Sequence, residues 1–514
     1  MNHRSQATYM LIPIKPLAES KTRLSSFFNQ EERANLVRCF MRDLANELSQ
    51  SKYVKETLVC TRDQKVRSLA RKLGFQCISE NEKARGLSDL INQLISAAVA
   101  KGAKAAVITS VDHPLLSAKA LDNMIEMSEP QCVAFTIWRG GGVSMSLRCP
   151  PSVVPALDRA DQPELLAIAH STRKSKAKLK HCDSFVLSFD VDYPRDLIEC
   201  FAFLSVIKRH SYTFKFLRQY IKEVRRENGL SLSFFPGSRF VRKLDLVEVK
   251  WMLTTVITSP SSVSEIKAEL LSTKTIRDPI LFDRKRNFIV DGHHRLEALR
   301  SLGCVRAPVQ FIDYDDPAVE AKKWIRAISR IQEPKQLERI LKENGLEFEK
   351  VDKPVSPDKF THIHYRDEVL RLIEKTEDTW QRMQTIARLE DSMVEKNLAF
   401  HMETDSDAKV KLNRKQCDAL LVPFSVSKEL TIEAALTRKP FAAIENRSVV
   451  PGRILRANVP LNILNSGIGH DEARRELERI LSNRRVSYQE PGSRDVFPNF
   501  RRYEEDVFIF QSAM

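Results

Sequence analysis

Along the amino-terminal part of the chain, short apolar runs alternate with longer stretches whose apolar positions recur at helical spacing. The runs Tyr9–Ile14, Glu56–Cys60, Ala105–Thr109, Gln131–Ile137 and Phe185–Phe189 predict strands, and Gln30–Leu48, Gln64–Leu73 and Leu87–Ala100 predict helices. Strands separated by helices of this length predict an α/β fold, a mostly parallel sheet in a three-layer domain over residues 1–205. In open sheets of that kind, ligands gather at the carboxyl ends of the strands. Between Phe203 and Phe240 the composition turns basic, which predicts a helical connector over 206–239 with a turn at Phe235-Pro236-Gly237. In the next unit, 240–345, Asn287–Val290 predicts a strand that runs into a helix at Leu296–Leu302. The remainder, 346–514, reads as α+β. There Arg366–Thr376 and Asp471–Asn483 predict helices, and Leu420–Val422 and Val507–Phe510 predict strands.

A chain of 514 residues is too long for one ordinary core, and 42% hydrophobic with 29% charged residues marks a folded protein rather than a disordered one. Nine cysteines lie scattered without a C-x-x-C pair, as expected of reduced thiols in a cytoplasmic protein. The apolar run near the start is too short for a signal peptide, and no stretch is long enough for a bilayer span, so no membrane partner is expected. A net charge of +15 gathers partly in His170–Lys180 and Lys208–Lys243. Nucleic acid would account for it through counterion release. Solvated surface and small anionic substrates account for it as well, and no helix-turn-helix or zinc-finger pattern favours the first.

Two places carry candidate chemistry. In Asp291-Gly292-His293-His294-Arg295, polar side chains crowd the first turn of a helix, where unpaired N–H groups favour an anion. Arg295 can grip phosphate as a fork, both histidines can donate to it, and Asp291 can cap the helix or carry a metal ion. The second place lies after the predicted strands of the first domain. Lys15, Lys21 and Arg23 follow the first strand, where a triphosphate would sit; Asp112 follows another, and Asp190 and Asp192 a third. Carboxylates at neighbouring strand ends suit Mg²⁺ held against a nucleotide phosphate. Each aspartate alone is ordinary turn chemistry. Their joint placement beside a cationic loop favours a nucleotide site.

The order IPIKPLAESKTRLS, VDHPLL, FDVDYPRDL resembles 2-phospho-L-lactate guanylyltransferase and its phosphoenolpyruvate-using relatives over about residues 9–200. The resemblance implies a three-layer nucleotidyltransferase-like (GT-A/Rossmann-like) fold. It places Lys15, Lys21 and Arg23 on the triphosphate of GTP, and Gly86 in a nucleotide-binding turn. Asp112 and Asp190, with Asp192, would hold Mg²⁺ while a phospho-acid attacks. Two positions depart from the family: Ser88 stands for the asparagine of its G-L-N turn, and 137–144 replaces an aspartate followed by a G-T-N-type run.

The segment DPILFDRKRNFIVDGHHRLEALRSLGCVRAPVQFIDYDD resembles the ParB/sulfiredoxin-like domain of free serine kinases, and Lys439–Leu464 resembles their carboxy-terminal part. This implies a ParB-like α+β domain followed by a carboxy-terminal α+β domain. Asp291, His293 and His294 would be catalytic, with Arg295 and Arg447 on the phosphates of ATP or ADP and serine or a similar small hydroxy acid as acceptor. The family's glutamate general base corresponds to 253–256, where no carboxylate stands. Together the resemblances imply a phosphoryl and nucleotidyl transferase. The alternative is a nucleotide-sensing or DNA-binding ParB-like regulator.

Overall fold

The first apolar run becomes β1 (Thr8–Pro13), buried at five of its six positions. It is followed by α1 (Gln30–Leu48), β2 (Val54–Thr61), α2 (Gln64–Lys72), β3 (Gln76–Ser79), α3 (Leu87–Ala100) and β4 (Ala105–Thr109). Next come α4 (Ala118–Glu126), β5 (Cys132–Ile137), β6 (Val143–Cys149), α5 (Glu164–Lys174), β7 (Lys178–His181), α6 (Phe185–Ser188), α7 (Pro194–Ile207) and α8 (Tyr212–Leu217). A hairpin of β8 (Lys222–Arg226) and β9 (Gly229–Pro236) follows. The computed structural model describes residues 7–81, 86–137, 142–154, 164–226, 229–333, 335–354, 356, 358–365, 368–441, 446–492 and 503–511. The chain forms two units, Met1–Phe235 and Pro236–Met514.

In unit 1 the seven strands run β3-β2-β1-β4-β6-β5-β7. The block from β3 to β4 is parallel, β6 is antiparallel to both β4 and β5, and β7 is parallel to β5. The sheet is therefore mixed, not mostly parallel. Leu90, Leu94, Ile95 and Ala98 of α3 pack on Tyr9, Leu11, Leu58 and Ile108 of the sheet, which closes one layer of the core. α1 starts where the sequence predicts, because Asn29 and Glu32 cap it reciprocally at 2.9 Å each. Phe185–Phe189, expected as a strand, is instead the helical turn α6 with its exit. Five apolar residues carry no decisive period. They settle as a turn with the Phe185 and Phe189 rings against Phe203 of α7.

The stretch after α7 is pinned to α1. Buried Asp43 accepts the first N–H groups of α8, from Tyr212 and Thr213, at 2.8 Å each. A carboxylate from the other end of the domain thus serves as helix cap.

Unit 2 opens with β10 (Leu244–Glu248), α9 (Pro260–Thr273), β11 (Thr275–Ile276), β12 (Ile280–Asp283), β13 (Phe288–Asp291), α10 (His293–Ser301) and β14 (Arg306–Ile312). Its first sheet runs β10-β14-β12-β13, with only the β12–β14 pair parallel. Next are β15 (Glu320–Lys323), β16 (Ile325–Ser329), β17 (Glu347–Val351), β18 (His362–Tyr365), β19 (Glu368–Ile373), β20 (Ala399–Glu403) and β21 (Ala419–Val422). The last are β22 (Asn446–Val449), β23 (Arg453–Leu455), β24 (Val459–Pro460), β25 (Arg485–Gln489) and β26 (Val507–Phe510). An antiparallel sheet β17-β19-β18-β21-β16-β20 packs against helices Lys335–Glu343 and Thr379–Glu395. Arg366–Thr376 was expected to be a helix, and Glu368–Ile373 is a strand. Leucine, glutamate and arginine favour a helix locally, but pairing on both sides by β17 and β18 overrides that preference. Asp471–Asn483 and Val507–Phe510 are helical and extended as their patterns predict. Among the described residues, no helix is long and apolar enough to cross a membrane.

Asp43→Ala strips the acceptor from two N–H groups, one of them buried, and is expected to destabilise unit 1 by about 1–3 kcal/mol. Urea denaturation followed by far-UV dichroism, with proteolysis reading the loss of unit 1, checks it; Asp43→Asn should recover part of the loss.

Candidate functional site

The carboxyl ends of β1 and β4 open into a cleft of about 510 Å³ in unit 1. Lys15, Lys21, Arg23, Asp112, Asp190 and Asp192 all line it. Local chemistry places each of them. After β1 the chain makes two short turns, and Lys21 sits at their junction in the left-handed region, φ 52°. Asp112 follows β4. Asp192 leads into α7, where Asp196 accepts the N–H groups of Asp192 and Tyr193 at 2.9 and 2.7 Å and fixes the approach.

Lys21 does not point at an open cleft. Its ammonium lies between Asp112, in direct contact, and Asp192 at 3.0 Å. Arg23 holds the other Asp192 oxygen at 2.6 Å and rests over the Tyr193 ring. Burial would lower the Lys21 pKa, but the two carboxylates raise it above the ordinary lysine value. For Asp112, burial works upward, and the Lys21 charge together with the hydrogen bonds from Lys21 and Ser110 holds the carboxyl at about 2. Asp190 goes the other way: burial, then the charges of Asp112 and Asp192, push it to about 7. One cation thus serves two of three neighbouring carboxylates and leaves the third proton-hungry. Lys15 is exposed at the mouth.

His113 and Ser110 were not singled out from the sequence. Buried His113 donates through Nδ1 to the carbonyl of Phe189 at 3.1 Å, so the residue before Asp190 is tied to the end of β4. Burial lowers its pKa and keeps it neutral. Ser110 donates to Asp112. The pattern S-x-D-H was the available signal, since three polar residues directly after a buried strand face whatever the strand end faces. Gly86 lies at the start of α3 with extended backbone, and an added Cβ would meet nothing within 4 Å. It does not line the cleft, whereas the adjacent Leu87 does. Of the altered stretch 137–144, residues 138–141 lie outside the described residues, while Val143 and Ser144 line the cleft.

In unit 2 the turn 291–295 joins β13 to α10. Gly292 has φ 107°, and a Cβ there would come within 3.0 Å of Arg295 and 3.1 Å of Ile280, so only glycine fits. The side chains around it are engaged with the fold. Arg295 donates to the carbonyls of Asp278 and Pro279 at 2.9 Å each and lies 3.5 Å from Asp291. His293 Nε2 accepts the Thr255 N–H at 3.2 Å, and His294 Nε2 accepts that of Ser259 at 3.2 Å. Burial lowers both histidines, His293 to about 4. Asp291 pairs with Arg453, which also holds Glu505 at 2.7 Å. That buried arginine was missed, because a residue directly after Pro451-Gly452 reads as surface until β23 is seen to be covered. Arg447 pairs with Glu504 and stacks over Trp324, and it lines neither cavity beside the turn. One of those cavities, about 60 Å³, lies at His293 and His294; the other, about 310 Å³, at Asp291 and Arg295.

Residues 8–234 match the family model described as "Guanylyl transferase CofC like". The match ends one residue before the boundary of unit 1. The 2-phospho-L-lactate guanylyltransferase of Methanocaldococcus fervens is 27% identical over 192 residues, 37% of this chain and 84% of that protein. That of Methanothermobacter thermautotrophicus is 27% identical over 229 residues, 45% of this chain and 99% of that protein. Among solved structures, a free serine kinase in complex with AMP aligns at 19% identity and TM-score 0.38, covering 43% of this chain and 93% of that one. A likeness at that score assigns nothing to unit 2. The amino-terminal region of the chain is thus a CofC-like guanylyltransferase region.

Proposed function

We propose that unit 1 transfers a guanylyl group from GTP to the phosphate of a small phospho-acid. A phosphate oxygen of the acid attacks the α-phosphorus, a P–O–P bond forms, and pyrophosphate leaves. The observation that carries this reading is the cleft itself. Lys15, Lys21 and Arg23 of the β1 loop line it together with Asp112, Asp190 and Asp192, and Lys21 and Arg23 are paired with the carboxylates. Cations suit a triphosphate, and the carboxylates beside them suit a divalent ion.

Asp112 and Asp190 are the residues that would hold Mg²⁺. The donor set fits: both offer oxygen, and the carboxyl of Asp190 is raised by burial and then by neighbouring negative charge, the part that a cation would relieve. Among the described residues no three such groups enclose an ion by themselves, which is usual for Mg²⁺, completed by phosphate and water. The ion supplies neutralisation of charge developing on the phosphates. The chain's own residues do the rest. Lys15 and Arg23 orient the triphosphate, and Lys21 exchanges its carboxylate partners for phosphate as the nucleotide enters. Guanylyl transfer is tested by incubating the full chain with MgGTP and 2-phospho-L-lactate or phosphoenolpyruvate and following pyrophosphate release.

Unit 2 carries a second reading, ATP- or ADP-dependent phosphorylation of L-serine or a similar hydroxy acid. It rests on the cavity of about 310 Å³ that reaches Asp291 and Arg295. Its product would be a phospho-acid, the class of molecule that unit 1 consumes. Phosphoserine formed from L-serine and ATP, read by mass spectrometry, tests it; its absence leaves unit 1 as the sole catalyst.

Asp112→Asn is expected to abolish the Mg²⁺ dependence of GTP binding in calorimetry, while Lys21→Ala weakens GTP at every Mg²⁺ level. Unchanged binding in both variants would reduce the cleft to a scaffold. In unit 2, His293 must stay neutral to accept the Thr255 N–H. Its folded value of about 4 lies below the ordinary 6.5, so the unfolded chain takes the proton first as pH falls. Stability contributed by His293 is whole above 6.5 and is lost from there down to about 4, at up to ~1.4 kcal/mol per pH unit. Urea melts across that window should show the slope in the native protein and a shallower one in His293→Gln. Equal slopes would place the histidine in solvent.

A further inference from the structure

The three carboxylates of the unit 1 cleft are not equally open to a cation. Both oxygens of Asp112 are engaged: Ser110 donates to Oδ1, and the Lys21 ammonium contacts Oδ2. The side chains of Lys21 and Asp112 are each 10% exposed, so salt and water screen the pair little. Lys21 also reaches Asp192 Oδ1 at 3.0 Å, and Arg23 holds Asp192 Oδ2 at 2.6 Å. Neither cation pairs with Asp190. The loop that carries both cations is itself tied down. Leu17 donates its N–H to Asp63 at 2.8 Å, and the Ser20 hydroxyl donates to the carbonyl of Pro16 at 2.9 Å. The Lys21 ammonium is bound to carboxylate side chains at the end of a flexible stem, so it can change partners without moving the loop.

A divalent ion such as Mg²⁺ needs oxygen lone pairs aimed at it from about 2.0–2.1 Å. While Lys21 lies on Asp112 and Asp192, an ion beside them would meet its positive charge a few ångströms away in a shielded cleft, where like charges repel strongly. Asp190 is then the carboxylate left to the ion, and one carboxylate without phosphate falls short of the usual set. A triphosphate changes the balance. Its oxygens give Lys21 and Arg23 new partners, and they add ligands of their own for the ion. We propose that Lys21 is an electrostatic latch: its ammonium bars a divalent ion from Asp112 until the phosphates of the nucleotide draw it away. Ion and nucleotide then enter the cleft together, and by linkage each raises the affinity of the other by the same factor. The latch rests on the guanylyltransferase reading of unit 1 and adds to it the order in which the site fills.

Mn²⁺, followed by electron paramagnetic resonance, stands in for Mg²⁺ and is titrated into the full chain without nucleotide. The native protein is expected to bind no ion that Asp112→Asn removes, and a saturable native site lost in Asp112→Asn overturns the latch. Lys21→Met is expected to gain a site at least roughly 10-fold tighter than any in the native protein, within the usual range of coupling between sites. Adding Asp112→Asn to Lys21→Met removes that site again, and a site that persists in the double variant overturns the assignment. Lys21→Arg keeps the charge and excludes the ion as the native protein does. A folded Lys21→Met that binds no more Mn²⁺ than the native protein overturns the latch, and so does Lys21→Arg binding as tightly as Lys21→Met. If Lys21→Met fails to fold, Lys21→Gln decides in its place, since it keeps a donor for Asp112 without the charge. None of these titrations contains GTP or an acid, so the two readings fail separately. Guanylyl transfer by the native protein with no ion gained in the variant keeps the function and removes the latch. An ion gained with no guanylyl transfer to any acid removes the function and keeps the latch.

Discussion

Unit 1 depends on an ammonium held among carboxylates that would otherwise repel one another. Lys21 sits at a left-handed position, which costs a side-chain-bearing residue about 1–2 kcal/mol, and its partners come from the ends of β4 and of the loop before α7. Breaking a buried pair of this kind typically costs about 3–5 kcal/mol, so the pairing outweighs the backbone strain. The same arrangement sets the electrostatics of the cleft. Asp112 is fixed as a carboxylate, and Asp190, left without a cation of its own, is poised near neutrality. Under the guanylyl transfer proposed above, a divalent ion would relieve Asp190 and phosphate would relieve Lys21.

Around this centre the mixed sheet and its connections divide the labour. The parallel strands β1 and β4 lead to Lys15, Lys21, Arg23 and Asp112, as open α/β sheets do at their carboxyl ends, while Asp190 and Asp192 come from the segment between α6 and α7. β6, reversed in direction, brings Ser144, Ser146 and Arg148 into the lining of the same cleft. His113 links the segment after β4 to the end of α6, as a buried neutral imidazole that donates to the Phe189 carbonyl.

The turn at 291–295 in unit 2 shows how similar residues can be committed differently. In unit 1 an exposed lysine remains at the cleft mouth, and the paired cation has a negatively charged partner that a ligand could replace. In unit 2 Arg295 is satisfied by two backbone carbonyls and each histidine by a backbone N–H. Backbone groups cannot leave. The turn is therefore stiff, and chemistry there would have to proceed on the Asp291 side, where the larger cavity lies.

Much of this was legible in the chain. The helices at 30–48 and 87–100 and the strand at 105–109 follow from periodicity and capping, which are local. Lys15, Lys21, Arg23 and Asp112 could be grouped because strand ends in an α/β sheet converge by construction, whereas Asp190 and Asp192 follow the helical turn α6 and not a strand. β6 was also written in the sequence, as the alternation Val143, Met145, Leu147, Cys149 against Ser144, Ser146, Arg148, but the glycines before it masked its start. What the sequence could not decide is direction and partner. Whether Phe185–Phe189 or Glu368–Ile373 becomes strand or helix depends on whether a sheet edge is waiting for it. Whether Lys21 meets phosphate or carboxylate, and whether Arg453 is surface or core, depends on residues far away in the chain. Charge pairing and burial are properties of distance in space, and only the tertiary structure sets those distances.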